Sequence, residues 1–484
     1  MPEAPRNVSD LVAIAAEQAP DHLAFAEVAT DQALSWAKLD RAVNAEARRL
    51  LDAGIEPGDR VAIQLPTGIG FVVALFGALR AGATAVPMAA ELPERERDRV
   101  IGSSEPKIVI DANPDLDATA EAVRSAPGGE DIALLCYTSG TAGTPRGAML
   151  SHRALLANVQ QCAALRPAPV TSTDRVLLAV PLFHAYGLGP GLFQVASAAA
   201  SAVLMDHFSV EPALQACEDF RITAIVGVPP MYQAFAQVPA ERLSSALSTL
   251  RLLTSGAAPL DPGVLRAMYQ ATGLNVYEGY GLTETGPVLT WTLVGGVAKP
   301  GSVGRPLPGV ELRLVDSDGT PGGGDDDDDD DEDAGVVSVR GANLFSGYWP
   351  DGAHGPDAEG WFRTGDVGYL DGDGDLHLVD RANDLIIVNG FNVYPHEVEQ
   401  VLAELSEVVE AAAVGVPDER TGERVKAVLV LRDGAGLTED QVRDHCATRL
   451  AKFKVPGLVE FVSALPHSIT GKLRRASLRK ADSV

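Results

Sequence analysis

Apolar residues recur at helical spacing from residue 39 to 51, and Gly54 ends the pattern just before a short apolar strand, Arg60-Val61-Ala62-Ile63-Gln64-Leu65. A second helix is predicted over residues 71–79, broken by Arg80 and Gly82, and Ala83-Thr84-Ala85-Val86-Pro87 reads as the next strand. Strand-like runs return at residues 107–110, 175–180, 222–226 and 251–253, with helix-compatible stretches between them. That alternation predicts α/β layers around largely parallel sheets. No repeat of solenoid or propeller period is visible.

Near residue 300 the pattern changes. Val310-Glu311-Leu312-Arg313-Leu314-Val315 and Val336-Val337-Ser338-Val339-Arg340 alternate as strands on either side of an acidic run at residues 325–333. Consecutive carboxylates repel one another and cannot be buried together, so the run is expected to be a solvated loop rather than a cation site. Asp371-Gly372-Asp373-Gly374-Asp375 resembles a calcium loop, but Leu376 and Ala382 stand where the sixth-position Gly and the terminal Glu belong. It reads instead as a turn between strands at residues 367–370 and 376–379. The stretch from Leu385 onward carries its own helix and strand signals, enough for a small separate domain.

With 484 residues the chain has room for two to four domains. Its net charge of −27 leaves no basic surplus for phosphate neutralisation, which excludes a nucleic-acid partner. The four cysteines, Cys136, Cys162, Cys217 and Cys446, show no C-x-x-C pairing, so neither a zinc site nor a disulfide framework is expected. No basic and then apolar start opens the chain, and the apolar segment at residues 71–79 is too short to span a bilayer. The expected location is cytoplasmic, where the sequon Asn7-Val8-Ser9 has no meaning.

The chemistry begins after the apolar run Ile132-Ala133-Leu134-Leu135-Cys136. Tyr137-Thr138-Ser139-Gly140-Thr141-Ala142-Gly143-Thr144-Pro145-Arg146-Gly147 is a loop rich in hydroxyls and backbone N–H groups. Such a loop suits the oxygens of a polyphosphate, although the Walker spacing G-x-x-x-x-G-K-[ST] is never met. Further on come Pro181-Leu182-Phe183-His184-Ala185-Tyr186-Gly187-Leu188, Gly227-Val228-Pro229-Pro230-Met231-Tyr232, and Ser255-Gly256-Ala257-Ala258-Pro259. Then follow Tyr280-Gly281-Leu282-Thr283-Glu284-Thr285, Trp361-Phe362-Arg363-Thr364-Gly365-Asp366, Asp380-Arg381-Ala382-Asn383-Asp384 and Gly471-Lys472. Gly187-Leu188-Gly189-Pro190-Gly191 only mimics a dinucleotide fingerprint, its third glycine being misplaced.

This ordered set resembles the adenylate-forming superfamily of acyl-CoA synthetases, luciferases and adenylation domains, over residues 34 to 479. The acyl-CoA synthetase branch fits best, on Gly390-Phe391-Asn392-Val393-Tyr394-Pro395 and the segment around His184. The resemblance implies an α/β fold: a large N-terminal domain of layered α/β sheets with a small β-barrel-like part at residues 1–382, and a small mobile α+β C-terminal domain at residues 383–484. It implies an ATP-dependent carboxylic acid–CoA ligase that forms an acyl-AMP, releases pyrophosphate and then makes the thioester. An acyl-AMP ligase loading an acyl carrier protein is the near alternative, and a non-catalytic acyl or nucleotide sensor the distant one.

Positioning and charge neutralisation dominate such chemistry. Thr138, Ser139, Gly140, Thr141, Gly143 and Thr144 would cradle the β- and γ-phosphates. Glu284 offers a hard oxygen to Mg²⁺, and Thr283 a hydroxyl to phosphate. By resemblance, Ala257, Ala258 and Tyr280 would border adenine, Asp366 with Arg381 would hold the ribose, and Lys472 would bridge carboxylate and α-phosphate. Asn383 would be the hinge and Gly390 would line the coenzyme A tunnel. Val228, Gly256 and Gly281 would shape the acyl pocket. For His184 two roles stay open, a gate in the acyl tunnel or a packed core histidine. Ala142 and Arg146 depart from the usual Thr and Lys. Gln233 and Ala234 after Met231-Tyr232 offer no cation to a second carboxylate. The small residues Gly256, Ala257 and Gly281 point to room for an apolar chain, hence a medium or long fatty acid, with an aromatic or polycyclic acid as the other possibility.

Overall fold

The computed structural model of the protein describes residues 4–30, 32–126, 128–138, 146–316, 334–381, 384, 386–388, 391–418, 420–432, 434–467 and 473–479. Ser139, Gly140, Thr141, Gly143 and Thr144, the acidic run, Asn383, Gly390 and Lys472 lie outside the described residues. The chain divides into two compact units, Met1–Leu312 with Val339–Phe362, and Arg313–Ser338 with Arg363–Val484.

In the first unit, Ser35 starts helix Trp36–Asp52 by accepting from the Lys38 amide at 3.4 Å. That cap lies before the first residue of the apolar periodicity, which is why the helix begins earlier than the spacing alone predicts. Helix Ile69–Arg80 is buried along its whole length, and its one charged residue, Arg80, is paired with Asp40 at 2.8 Å. A side chain at Gly77 would lie 2.6 Å from the Glu46 side chain, so glycine lets these two helices meet closely. Among the described residues, no helix is long and apolar enough to cross a membrane.

Behind the helices stands a five-stranded sheet in the order Ile108–Ile110, Arg60–Gln64, Thr84–Met88, Ile132–Thr138, Arg146–Ser151. Its first four strands run parallel and the last is antiparallel. A nine-stranded sheet has at its centre Val276–Tyr280, Leu252–Ser255, Ala224–Gly227, Arg175–Leu178 and Ser201–Leu204, all parallel. Three of these, Leu252–Ser255, Ala224–Gly227 and Ser201–Leu204, are buried at every residue, the habit of strands covered on both faces. The Gly187–Phe193 segment is a buried π-helical turn, so its glycines serve close packing and not a dinucleotide. Asn7, the sequon residue, is 1% exposed and donates to Leu79 O and Ala126 O.

The second unit holds a sheet in the order Phe391–Val393, Ile386–Val388, Gly422–Leu431, Val408–Asp418, with Leu458–Val462 parallel to Gly422–Leu431. Helices Pro395–Ala403 and Glu439–Ala447 contribute Val398, Leu402, Val442 and Cys446 to its core. Strands Val310–Val315, Gly335–Gly341, Phe362–Leu370 and Leu376–Arg381 form a further four-stranded sheet in that order. The Asp371–Asp375 stretch is its hairpin turn. Asp371 Oδ1 accepts from the amides of Asp373 and Asp375, both at 3.0 Å, while Oδ2 meets His377 Nε2 at 2.8 Å. The Asp371 carboxylate is spent on closing that turn.

Candidate active site

Strand Val276–Tyr280 leads into a single 3-10 turn, Thr283–Thr285. Thr285 closes it, its hydroxyl accepting from Leu282 N and donating to Leu282 O, both at 2.9 Å. Gly281 tolerates no side chain, because a Cβ there would sit 1.8 Å from Pro287 O. Glu284 is 8% exposed, its carbonyl accepts from Phe345 N at 3.0 Å, and its Oε1 accepts from the Tyr348 hydroxyl at 2.6 Å. Among the described residues no salt bridge reaches this carboxylate. Burial, aided by the charge of Glu284, pushes the Cys136 thiol up to about 12, so this cysteine stays protonated and inert.

A buried amide network backs the turn. Helix His152–Ala163, started by the Ser151 hydroxyl, presents Asn158, which holds both the carbonyl and the amide of Val288 at 2.7 and 3.2 Å. Gln161 donates to Asn343 Oδ1 at 3.2 Å, and Asn343 donates to Thr285 O at 2.7 Å. Residues 346–349 then run along strand Arg146–Ser151, with Ser346 N to Met149 O at 2.8 Å, Met149 N to Gly347 O at 3.0 Å and Trp349 N to Gly147 O at 2.8 Å. The Tyr348 ring takes the Arg146 guanidinium on its face at 3.9 Å and packs edge-on with Phe345 at 5.1 Å. Thr138 pairs with Arg146 in the antiparallel register, so the two ends of the hydroxyl-rich loop are side by side. Thr138, Arg146, Tyr348 and Glu284 are thereby linked by backbone pairing, ring stacking and a hydrogen bond.

Neighbouring strand ends gather the other residues. Gly227 pairs with Ser255 and Ser255 with Glu278, so Val228, Gly256, Ala257, Tyr280 and Gly281 all leave the C-terminal ends of adjacent parallel strands. That edge is where open α/β sheets receive ligands. Ala257 adopts φ +71°, a left-handed backbone unusual for alanine and characteristic of functional turns. Glu278, 7% exposed, accepts from Leu260 N at 2.9 Å, and burial raises its carboxyl to about 7.

His184 Nδ1 accepts from Tyr186 N at 3.2 Å, which leaves Nε2 to carry the proton of the neutral ring. Tyr186 is half-buried and donates to Gly227 O at 3.1 Å. A Cβ on Gly256 would meet the Tyr186 ring at 2.5 Å. The space beside Gly256 is therefore filled by a ring, and that beside Gly281 by a carbonyl. Close packing in the Cβ direction is thus a second reason for both residues to be small, beside room for substrate.

In the second unit, Asp366 is 7% exposed and its amide donates to Thr364 Oγ1 at 3.1 Å; Thr364 in turn donates to Val337 O at 3.0 Å. Asp366 faces Arg381 in the register of strands Phe362–Leu370 and Leu376–Arg381.

Sequence reasoning passes over Tyr348, Asn158, Gln161, Asn343 and Glu278. A signal existed for two of them: Asn343-Leu344-Phe345-Ser346-Gly347-Tyr348-Trp349-Pro350 joins polar and aromatic residues just after a strand. Asn158 and Gln161 sit on an ordinary amphipathic helix and carry none.

The family model described as AMP-binding enzyme matches residues 12–349, and that of the AMP-binding enzyme C-terminal domain matches residues 397–472. A feruloyl-CoA synthase of Amycolatopsis sp is 37% identical over 471 residues, 93% of this chain and 94% of its own. A long-chain-fatty-acid–CoA ligase of Mycobacterium tuberculosis is 31% identical over 508 residues, 98% of each chain. Among solved structures, ATP-bound MatB from Rhodopseudomonas palustris is similar with a TM-score of 0.88 at 32% identity, covering 98% of both chains.

Proposed function

Since this chain belongs to the AMP-binding enzyme family and is an acid–thiol ligase working through an acyl-AMP made from ATP, we propose that its acid is a compact, ring-bearing apolar one. The observation that carries this is the Tyr186 ring lying against Gly256, with its hydroxyl anchored to Gly227 O. A long fatty chain needs a continuous apolar channel, whereas a flat ring fits against a fixed phenol and the small residues around it. The 37% identity to a feruloyl-CoA synthase supports the same choice.

Glu284 fits a divalent cation on the chemistry of its donor. It is a nearly buried carboxylate whose charge no salt bridge offsets among the described residues, and such a group is costly unless a cation accompanies it. Mg²⁺ bound there would offset the charge of the ATP phosphates during expulsion of pyrophosphate. Thr283 and the Thr138 end of the loop would donate to phosphate oxygens, and Ala257, Ala258 and Tyr280 would border the adenine. Asp366 and Arg381 are assigned to the ribose, Lys472 to the carboxylate and α-phosphate, and Asn383 and Gly390 to the hinge and the coenzyme A path of a mobile C-terminal domain. Coenzyme A is the proposed thiol.

The test is pyrophosphate release with benzoic, cinnamic and ferulic-type acids beside octanoic and palmitic acids. The aromatic acids should lead in kcat/KM by at least about tenfold, the scale a shaped pocket gives; leadership by palmitic acid would return the fatty-acid reading. Product mass in the presence of coenzyme A, or of a phosphopantetheinylated carrier protein, identifies the acceptor.

A further inference from the structure

The Tyr348 hydroxyl donates to Glu284 Oε1, and this tyrosine is held from three directions. Its amide donates to Ala353 O at 3.0 Å, its carbonyl accepts from Gly352 N at 2.8 Å, and its ring lies between the Arg146 guanidinium and the Phe345 edge. Phe345, three residues earlier, donates its amide to the Glu284 carbonyl. One short segment thus fixes both the backbone and the side chain of Glu284.

We propose that Tyr348 is a positioning residue whose O–H bond to Glu284 Oε1 reserves Oε2 for the divalent cation that accompanies ATP. The inference rests on the reading of Glu284 as the cation's carboxylate. An unrestrained carboxylate rotates and offers a cation either or both oxygens. An O–H donor at 2.6 Å, in the range of charge-assisted bonds, occupies one oxygen and fixes the plane of the group. Partners of this kind set the orientation of metal-binding side chains, and their loss costs roughly 10–100-fold in metal affinity. Arg146 gives the arrangement a second use. A planar guanidinium stacks flat on the phenol as an ammonium cannot, and Arg146 ends the hydroxyl-rich loop. The phosphate loop and the cation's carboxylate are therefore mechanically joined through one ring.

The experiment uses the full chain, Mn²⁺ as the metal and α,β-methylene-ATP as a nucleotide that cannot release pyrophosphate, with free Mn²⁺ read by electron paramagnetic resonance. Tyr348→Phe keeps the ring under Arg146 and removes only the hydroxyl. It should weaken Mn²⁺ binding roughly tenfold, while binding of the analogue in EDTA and the thermal midpoint stay at wild-type values. In pyrophosphate exchange it should raise the KM for Mg²⁺ and recover kcat at saturating Mg²⁺. Glu284→Gln should lose Mn²⁺ at least as strongly. Wild-type Mn²⁺ affinity in Tyr348→Phe, beside a loss in Glu284→Gln, overturns the proposal and leaves the Glu284 assignment standing. Wild-type affinity in both variants overturns both. An equal loss of metal-free nucleotide binding in Tyr348→Phe makes the tyrosine a structural member only and also overturns it.

Discussion

Acid should loosen the first compact unit through one buried imidazole. His152, 2% exposed, opens helix His152–Ala163, and its Nδ1 accepts from Val8 N at 3.0 Å. Its Nε2 lies 3.5 Å from Asn7 Nδ2, whose hydrogens are directed to Leu79 O and Ala126 O. A proton on Nδ1 would turn an acceptor into a donor facing another N–H, and would place a charge where water does not reach. Burial lowers the imidazole from 6.5 to about 4, against a smaller upward pull from Asp10. Between those values the unfolded chain takes up a proton that the folded chain refuses. The stabilising contribution is therefore complete above pH 6.5 and is lost progressively as the pH falls toward 4. At about 1.4 kcal/mol per pKa unit, the loss reaches about 2 kcal/mol by pH 5 and about 3 kcal/mol below pH 4. The protein's 4 tryptophans, Trp36, Trp291, Trp349 and Trp361, all lie in the same unit as His152, so their fluorescence reports its unfolding. Guanidinium titrations at pH 7.5 and 5.0 would compare the wild type with His152→Asn, whose Oδ1 accepts from Val8 without titrating. The wild type should lose about 2 kcal/mol more than the variant between these pH values. Equal losses in both proteins would refute the assignment to His152.

Gly281→Ala should abolish pyrophosphate exchange, since a Cβ 1.8 Å from a backbone oxygen forces the Thr283–Thr285 turn to move; full activity would show that the turn yields without cost. Glu278→Gln should stabilise the protein at high pH. The native carboxyl, raised from 4.5 to about 7, contributes stability that is whole below 4.5 and is lost as pH rises through 7. Thermal midpoints of this variant should exceed the wild type at pH 8.5 and match it near pH 4.5, and a gap that does not change with pH would count against burial as the cause. Tyr186→Ala should clear the space beside Gly256 and raise the kcat/KM ratio of octanoic to benzoic acid by about tenfold or more. An unchanged ratio would remove Tyr186 from the acyl pocket.

Much of the scaffold was legible because its signals are local. The strand at Arg60–Gln64, the buried helix at Ile69–Arg80 and the hairpin across Asp371–Asp375 follow from periodicity, breakers and turn residues within short windows. Glu284 and Asp366 stood out in the sequence because they lie inside ordered motifs, and the fold buries both nearly fully. What escaped was pairing at a distance. Nothing near Tyr348 in the sequence announces that its hydroxyl will meet a carboxylate 64 residues earlier. Nor does the composition around Asn158 reveal that it will hold Val288, 130 residues away. The glycines were ambiguous for a related reason: a missing side chain reads the same whether substrate, an aromatic ring or a carbonyl lies beside it, and the contacts of an added Cβ come only from the fold.

The docking of residues 346–349 on strand Arg146–Ser151 also sets a clock for synthesis. The strand and the Thr283–Thr285 turn both leave the ribosome before this segment does. Trp349, whose indole donates to Ser103 O at 2.9 Å, closes a span of 246 residues. Contacts of such separation form late, since a long loop must close before they can stabilise anything. A nascent chain that has exposed its phosphate loop but not yet Tyr348 has an unset Glu284. On the proposed role of that tyrosine, the growing polypeptide holds the divalent cation only weakly at Glu284 until the segment that orients this carboxylate has been made.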